Sequence, residues 1–197
     1  MKILIDNGHG VNTPGKCSPD KSLREYAWTR EIASRIAAEL QSRGYDAQRI
    51  VTEQTDISLT ERVHRVNNIC KQYGTKNCVL VSVHINAAGA DGKWHDASGW
   101  SCWVAPNAST NSKTLAQLLY AEAVEHRLQG NRSVSRERYW VGNFTIIKRT
   151  NCPAVLTENL FQDNKNEVAY LLSEDGKKHI TQLHVDGIIN YIKQLKK

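Results

Sequence analysis

The chain has 197 residues, of which 40% are hydrophobic and 23% are charged, and its formal net charge is +6 at pH 7. This composition is ordinary for a soluble protein and predicts one globular domain over residues 1–197. No apolar run approaches the roughly 18 residues of a membrane span, which excludes membrane insertion. The positive charge favours polyanionic surroundings but does not distinguish among nucleic acid, anionic lipid and an anionic cell-wall polymer.

The five cysteines are an odd number, and none of them forms a C-x-x-C pair. Neither a disulfide framework nor a cysteine zinc site is therefore indicated, and reduced thiols are expected. One pairing stays open, because Cys70 and Cys78 lie near each other in sequence, at a predicted helix end and the start of the next predicted strand.

The first ten residues, MKILIDNGHG, are a short apolar strand that runs directly into a glycine-rich turn. Residues 3–5 are too few for a helix and are typical of a strand buried on both faces. Gly8 and Gly10 leave room for a close approach to His9. Because ligands of open α/β sheets collect at strand ends, His9 is a candidate metal ligand or acid-base group, with ordinary packing as the alternative.

A loop with two prolines, residues 11–21, precedes the first predicted helix. The helix repeats an apolar residue at every fourth position and stops before Gly44, which suits a helix C-terminus. Its apolar face consists of Trp28, Ile32, Ile36 and Leu40. Ser22-Leu23-Arg24-Glu25 matches a capping box, which places Glu25 in the first turn.

A second strand and a second helix follow. Residues 46–51 predict the strand, and a further capping box from Ser58 to Glu61 opens the helix. The apolar face of this helix consists of Leu59, Val63, Val66, Cys70 and Tyr73. Residues 78–84 are β-branched and apolar and form the clearest strand pattern of the chain. This strand ends on His84.

The second half of the chain continues the alternation of strands and helices. Its predicted elements are an edge strand at residues 99–104, a helix at 109–127, short strands at 146–147 and 153–157, and helical structure from 164 onward with Ile188, Ile192 and Leu195 on its inner face. The last strand runs into Glu158.

A basic segment, residues 130–143, contains three arginines and two aromatic residues. Arg138 and Trp140 are candidate substrate contacts in this segment, because basic and aromatic side chains together could hold a polymer. A plain solvated loop is the equal alternative.

Alternating strands and helices predict an α/β fold, with a mostly parallel twisted sheet of about six strands flanked by helices on both faces. His9, His84, Glu25 and Glu158 then lie at the edge of the sheet where such folds keep their sites. Two histidines and one glutamate are a zinc-binding set that leaves a fourth position for water, and a second carboxylate can act as a base.

Five ordered motifs give the chain a resemblance to a known family. IDNGHG is similar to an opening Ile-Asp-Pro-Gly-His-Gly, SLREYAWT to the stretch with a glutamate ligand, and TDISLTERVHRVN to a helix with Thr/Asp, Leu, Arg and Asn. SVHINA is similar to a second histidine motif and PAVLTENLFQDN to a final glutamate motif. Together they resemble the zinc-dependent N-acetylmuramoyl-L-alanine amidases of bacterial cell-wall and phage-endolysin type.

The resemblance implies roles for particular residues. His9, Glu25 and His84 are implied zinc ligands, and Glu158 is the implied catalytic glutamate. Asn86, within the second histidine motif, joins Arg138 and Trp140 as a candidate substrate contact. The implied reaction is hydrolysis of the amide between N-acetylmuramic acid and the L-alanine of the peptidoglycan stem peptide, with zinc as the cofactor.

The chain departs from the family pattern at two places. Asn7 stands where a proline is usual, and Asn159 and Leu160 follow Glu158 where a small residue and glycine are common. These departures concern the turn before His9 and the wall of the pocket.

Simpler interpretations of the site residues are also open. Glu25 can serve only as a helix cap, and Glu158 can be an ordinary carboxylate at a strand end. His95 is the rival metal ligand, and His184 is interpreted as a packed core residue. The histidines interpreted as helix-surface residues are His64, His126 and His179.

Two other functions remain open from the sequence: a zinc peptidase that acts on stem peptides, and a non-catalytic basic domain that binds a polymer. Under the amidase interpretation we expect peptidoglycan as the partner, no nucleic acid, no obligatory protein activator and a monomer. No secretory signal and no separate wall-binding module are visible. Synthesis in the cytoplasm and action on the cell wall or periplasm after lysis or non-Sec export are therefore expected.

Overall fold

The computed structural model describes residues 1–196. Its strands are β1 (Lys2–Asn7), β2 (Asp46–Arg49), β3 (Cys78–Asn86), β4 (Ser101–Val104), β5 (Trp140–Val141) and β6 (Ala154–Phe161). Its α-helices are α1 (Glu25–Ser42), α2 (Leu59–Tyr73), α3 (Thr110–Glu125), α4 (Thr145–Lys148), α5 (Lys165–Leu172) and α6 (Glu174–Gln194).

The strands form one six-stranded sheet in the order β2-β1-β3-β6-β4-β5. β1 pairs in parallel with β2 and β3, β3 with β6, and β4 with β5, whereas β4 and β6 are antiparallel. The predicted mostly parallel sheet of about six strands is confirmed. The predicted edge position of residues 99–104 is wrong, because β5 pairs with the outer side of β4. The sequence did not indicate β5, because a strand of two residues is too short to show a pattern.

Helices cover both faces of the sheet, as predicted. One core lies between the sheet and α1, α3, α5 and α6, and the other lies between the sheet and α2 and α4. Alternate residues of the central strand β3 supply the two cores: Val79, Val81 and Val83 face the first, and Leu80 faces the second. The continuous apolar run of β3 therefore reflects burial on both sides.

The two predicted capping boxes have different outcomes. Ser58 accepts the backbone N–H of Glu61 (3.2 Å) and caps α2 as predicted. The capping box at Ser22 is wrong, because α1 begins only at Glu25 and its N-cap, Arg24, makes no side-chain cap hydrogen bond. Ser22 instead donates to Asp20 (2.8 Å). The Glu25 side chain is therefore free to point into the protein.

Two further element predictions are wrong in type or extent. Ile146 and Ile147 lie in the single helical turn α4 and pack into the core on the α2 side. Two adjacent apolar residues do not distinguish a strand from a helical turn. The helical C-terminal region is interrupted at Ser173, which caps α6 through the N–H of Gly176. Ile188 and Ile192 are buried there as predicted, but Leu195 is exposed.

The cysteines are free thiols, as the sequence predicts. Cys70 and Cys78 do not pair, although both are buried in the core on the α2 side together with Cys152. Within residues 1–196, no helix combines the length and apolarity that crossing a membrane requires.

His184 in α6 is a packed core residue, as the sequence predicts. Its side chain is fully buried, with Nε2 2.9 Å from Thr157 Oγ1 and Nδ1 2.8 Å from the carbonyl oxygen of Ile180. The carbonyl requires a proton on Nδ1, so Nε2 accepts from the threonine hydroxyl. Burial lowers the pKa of His184 from 6.5 to about 4.

This burial predicts a loss of stability in acid. The unfolded chain binds a proton at His184 below its ordinary pKa, whereas the folded chain resists it until about pH 4. The free energy of unfolding should therefore fall by about 2–3 kcal/mol between about pH 7 and pH 4.5 because of this one group. Urea unfolding at both pH values, in wild type and in His184→Gln, measures the difference. An equally steep acid loss in the variant would contradict this assignment.

Candidate metal centre and active site

His9 lies in the turn that follows β1, in a left-handed backbone conformation with φ of 60°. The turn is held by hydrogen bonds at Gly8, whose N–H donates to the carbonyl of Val83 (3.0 Å) and whose carbonyl accepts from Thr29 Oγ1 (3.1 Å). A Cβ at Gly8 would collide with the imidazole of His84. The glycine therefore allows the two histidines to approach each other, as the sequence indicated.

Arg62 of α2 also fixes this turn. Its guanidinium is buried and donates to Asp6 Oδ1 (2.6 Å), to the carbonyl of Asn7 (2.5 Å) and to the carbonyl of His9 (3.2 Å). Asp6 also accepts from Ser82 Oγ (2.5 Å). The buried ion pair thus joins α2, β1 and β3 next to the turn that carries His9. In the sequence, Arg62 is recognisable only as part of a helix motif.

Replacing Arg62 should strongly destabilise the fold. Arg62→Met leaves the Asp6 carboxylate buried without its cation, which typically costs about 3–5 kcal/mol. Arg65→Met is the matched control, since Arg65 lies on the same helix in more exposed ion pairs with Glu53 and Glu61 and should cost less than about 1 kcal/mol. Urea unfolding measures both variants. Equal losses in the free energy of unfolding would show that the buried pair contributes no more to stability than the exposed pairs.

Glu25, the first residue of α1, is buried and points at both histidines. Its Oε1 lies 3.5 Å from His9 Nε2 and 3.3 Å from His84 Nδ1, and it accepts the backbone N–H of Ile85 (2.9 Å). Its Oε2 is buried and has no hydrogen-bond partner in the described part of the chain. Such an unsatisfied carboxylate oxygen is costly unless a ligand completes it.

His84 brings the third donor from β3. Its ring is perpendicular to that of His9, at 88°, with the ring centroids 5.1 Å apart. One donor atom from each of His9, Glu25 and His84 lies within 4.8 Å of the others. Within residues 1–196 this is the one group of three or more His, Cys, Asp or Glu side chains placed to hold a metal ion.

The electrostatics of the three side chains suit a cation. Burial lowers the pKa of His9 to about 4, which leaves its imidazole neutral and able to donate an electron pair. Burial opposes the charged form of His84, but the hydrogen bond and charge of Glu25 outweigh burial and raise the pKa of His84. Glu25 is ionised, because the same contacts to His84 overcome its burial and lower its pKa. The carboxylate therefore attracts positive charge to the point between the rings.

The donor set fits zinc. Two imidazole nitrogens and one carboxylate oxygen are the ligands of a known class of catalytic zinc site, which keeps a fourth position open. The two histidines line a cavity of ≈ 360 Å³ together with Gly8, Asp56 and Arg62, which provides room for that position.

Glu158 lies next to this group but outside it. On β6 it stands opposite His84 of β3 and opposite Ser101 of β4. Its Oε2 is buried, and no group of residues 1–196 forms a hydrogen bond with it. Burial raises the pKa of Glu158 to about 7, against the opposing charge of His84 and, more weakly, of Lys16 and Arg132. Glu158 is thus a carboxyl group that can change protonation near neutral pH.

The residues that depart from the family pattern after Glu158 have defined roles. Asn159 is buried, accepts from Trp100 Nε1 (2.8 Å) and donates to the carbonyl of His84 (2.8 Å). Leu160 has a φ of 65°, and the pairing of β6 with β3 shifts there so that Asn86 faces Phe161. Asn159 therefore fixes the backbone of the candidate ligand His84. The feature of the sequence that could have indicated this role is an asparagine in a largely apolar strand.

The three candidate substrate contacts lie in different surroundings. Asn86 ends β3, where its Oδ1 accepts the N–H of Ala87 (2.9 Å). Trp140 forms β5 and its ring lies 6.1 Å from that of Trp103. Arg138 is exposed, and its only hydrogen bond within residues 1–196 is from its backbone N–H to Ser135. These three contacts stay predictions.

His95, the rival ligand, is not part of the metal group. Its Nε2 lies 2.9 Å from Asp91 in a partly exposed pair on the loop after β3. Its position is consistent with a surface interaction within that loop.

A second cleft, of ≈ 440 Å³, opens between the loops 14–21 and 87–93. Its lining includes Lys16, Lys21 and Lys93, together with Gln162, whose buried Oε1 has no hydrogen-bond partner among residues 1–196. Lys16 is close enough to act on the charge of both His9 and Glu158. Three lysines and one carboxylate, that of Asp163, give the lining of this cleft a net positive charge.

Comparisons with known proteins identify the family of the chain. A family model described as N-acetylmuramoyl-L-alanine amidase matches residues 3–190. The endolysin of Bacillus phage SPP1 is 27% identical over 197 residues, which cover 99% of this chain and 67% of that protein.

Solved structures show the same fold. An N-acetylmuramoyl-L-alanine amidase from Clostridium difficile 630 is 29% identical with a TM-score of 0.80, over 98% of this chain and 96% of that chain. The CwlD amidase from Clostridioides difficile, solved in complex with the GerS lipoprotein, is 23% identical with a TM-score of 0.76, over 98% of this chain and 97% of that chain, and it supports the fold alone. The chain therefore belongs to the N-acetylmuramoyl-L-alanine amidase family and is an amide hydrolase.

Proposed function

We propose that the chain is a zinc-dependent peptidoglycan hydrolase that cleaves the amide between N-acetylmuramic acid and the L-alanine of the stem peptide. The observation that carries this proposal is the convergence of three donor atoms within 4.8 Å, beside a carboxyl group whose pKa is about 7. His9, Glu25 and His84 would hold the zinc, and Glu158 would carry the proton.

The chemistry divides between the metal and the chain. When bound, zinc supplies a Lewis acid for the amide carbonyl and makes water a nucleophile near neutral pH. Glu158 accepts a proton from the attacking water at its free carboxylate oxygen. It then delivers this proton to the leaving nitrogen of L-alanine, so one carboxyl group acts as base and then as acid.

The surroundings of these residues support the roles. A general acid-base group works best with a pKa near the operating pH, and burial brings Glu158 into that range. Glu25 is held by the N–H of Ile85, and the carbonyl of His84 is held by Asn159. Positions fixed by such contacts favour both metal affinity and productive geometry.

We also propose that the site is open and that the enzyme works as a monomer without a protein activator. The alternative is an extra helix between Val104 and Ile146 that would plug the metal site. Between these residues lie α3, which the sequence predicts, and the start of the single turn α4, and residues 126–139 contain no helix. The GerS complex of CwlD shows that one protein of this fold has a lipoprotein partner. Measuring the hydrolysis of sacculi by the purified chain, with zinc and without any other protein, tests whether an activator is needed.

The anionic cell wall is the proposed partner, reached through the net charge of +6 and the lysine-lined cleft. We propose that the enzyme reaches the cell wall or periplasm after lysis or by non-Sec export.

Digestion of purified sacculi, followed by mass spectrometry, tests the proposed reaction. We expect glycan strands with free lactyl carboxyl groups and peptides with a free N-terminal L-alanine, and we expect a chelator to abolish their release. Cleavage between two amino acids would instead identify a peptidase. Binding to sacculi without release of products, with zinc present, would identify a polymer-binding domain.

A further inference from the structure

Arg132, in the loop between α3 and β5, is enclosed by aromatic rings. Its Cζ lies 5.2 Å from the ring centroid of Trp140, 5.5 Å from that of Phe161 and 5.9 Å from that of Trp103. Most of the surrounding loop is exposed, whereas Arg132 is only partly exposed. Cation–π contacts with three rings hold the guanidinium in place, and the ammonium of a lysine would not present the same planar group there.

The guanidinium is fixed but not paired. Its Nη1 is buried without a hydrogen-bond partner, and Arg132 forms no ion pair with a carboxylate of residues 1–196. Arg62 shows the contrast, since its buried guanidinium donates to carboxylates and carbonyls of β1, of the turn after β1 and of the loop before α2. An arginine with only a structural role would be expected to satisfy its donors in the same way.

Arg132 lies on the side of Glu158 that faces away from the candidate metal ligands. In the sheet, β3 with His84 is on one side of β6, and β4 with Ser101 and Trp103 is on the other. Ser101 stands opposite Glu158, and Trp103 follows Ser101 by two residues. The side chains of Trp103 and Glu158 therefore lie on the same face of the sheet. Arg132 covers that ring and is close enough to act on the charge of Glu158.

We propose that Arg132 is a specificity-determining residue that binds a carboxylate of the stem peptide, on the residue that follows L-alanine. The inference rests on the proposed function, in which Glu158 gives its proton to the alanine nitrogen, so that the leaving peptide lies on the Glu158 side. A planar guanidinium matches a carboxylate through two parallel N–H bonds and matches a neutral carboxamide poorly. The chain would then favour wall whose second stem residue keeps its α-carboxylate over wall in which that group is amidated.

A pair of soluble muropeptides that differ only in this carboxylate or carboxamide tests the inference. We expect wild type to prefer the carboxylate substrate by roughly 10- to 100-fold in kcat/KM. Arg132→Gln should lose this preference by raising KM for the carboxylate substrate, with little change for the carboxamide. Arg132→Lys should keep a reduced preference. Arg136→Gln removes the same charge from an exposed position of the same loop and should leave the preference unchanged.

The ratio of the two substrates within one variant is independent of the fraction of folded protein, so a fold defect cannot imitate the effect. A wild type without preference, or an Arg132→Gln variant that loses both activities equally, would overturn the inference and leave Arg132 as a clamp of its loop. Absence of cleavage at the lactyl–alanine bond by wild type would instead overturn the proposed function. The two failures are therefore distinguishable.

Discussion

Glu158→Gln is expected to lower the turnover of a soluble muropeptide by a factor of roughly 100 to 10,000, the usual contribution of a general acid-base group. Glutamine has the same shape but cannot take up the proton of the attacking water. Among residues 1–196 the Oε2 of Glu158 has no hydrogen-bond partner, so the change breaks no hydrogen bond of that atom there. Because burial already opposes the ionised carboxylate, we expect no loss of thermal stability.

Zinc content, melting temperature and turnover should be measured together for this variant. We expect zinc content and melting temperature to match wild type, so that only turnover falls. Glu167→Gln is the matched control: burial raises the pKa of Glu167 to about 7 as well, but its carboxylate accepts the N–H groups of Gly99 and Phe161. That variant should lose stability and keep its turnover per folded molecule. An active Glu158→Gln enzyme would remove Glu158 from the mechanism.

His84→Ala is expected to lose zinc and, with it, measurable activity. The change removes one of three converging donors and leaves Glu25 with only His9 as a neighbouring imidazole. Loss of an outer partner of a metal ligand typically weakens affinity about 10- to 100-fold, so loss of a ligand should exceed that range. Competition with a chelating dye gives the affinity, and elemental analysis gives the zinc content.

His95→Ala is the control for this experiment, since His95 pairs with Asp91 away from the metal group. It should keep one zinc per chain and full activity. Full zinc occupancy in His84→Ala would show that another set of residues holds the metal. Zinc loss from His95→Ala would indicate a second site on the loop after β3.

The parts of the site that follow from local pattern could be predicted from the sequence. Residues 3–5 and 78–84 are apolar runs buried on both sides, so their ends, with His9 and His84, were placed at one sheet edge. Glu25 was placed in the first turn of α1, although for the wrong reason, since it faces the histidines and caps nothing. Family motifs then supplied the roles that local pattern leaves open.

The parts that depend on contacts between distant segments could not be predicted. β5 consists of two residues that become a strand only because they pair with β4. Arg62 and Asn159 are ordinary polar residues until α2 and β6 bring them to the backbones of His9 and His84. In the basic segment, the sequence favoured Arg138, whereas Arg132 is the arginine that lies over the ring of Trp140. Nothing in the spacing of that loop indicates which side chain turns inward.

The order of the strands determines when the site can exist during synthesis. β3 lies between β1 and β6, so the groups that act together come from positions 9, 25, 84 and 158 of the chain. Contacts between such distant segments are slow to form, because loop closure costs entropy before any contact compensates for it. A nascent chain that still lacks β6 has candidate metal ligands but no Glu158, and β3 then has no partner on that side. We therefore expect unfinished or truncated chains to be inert toward the cell wall, so that hydrolysis begins only after translation has passed Phe161.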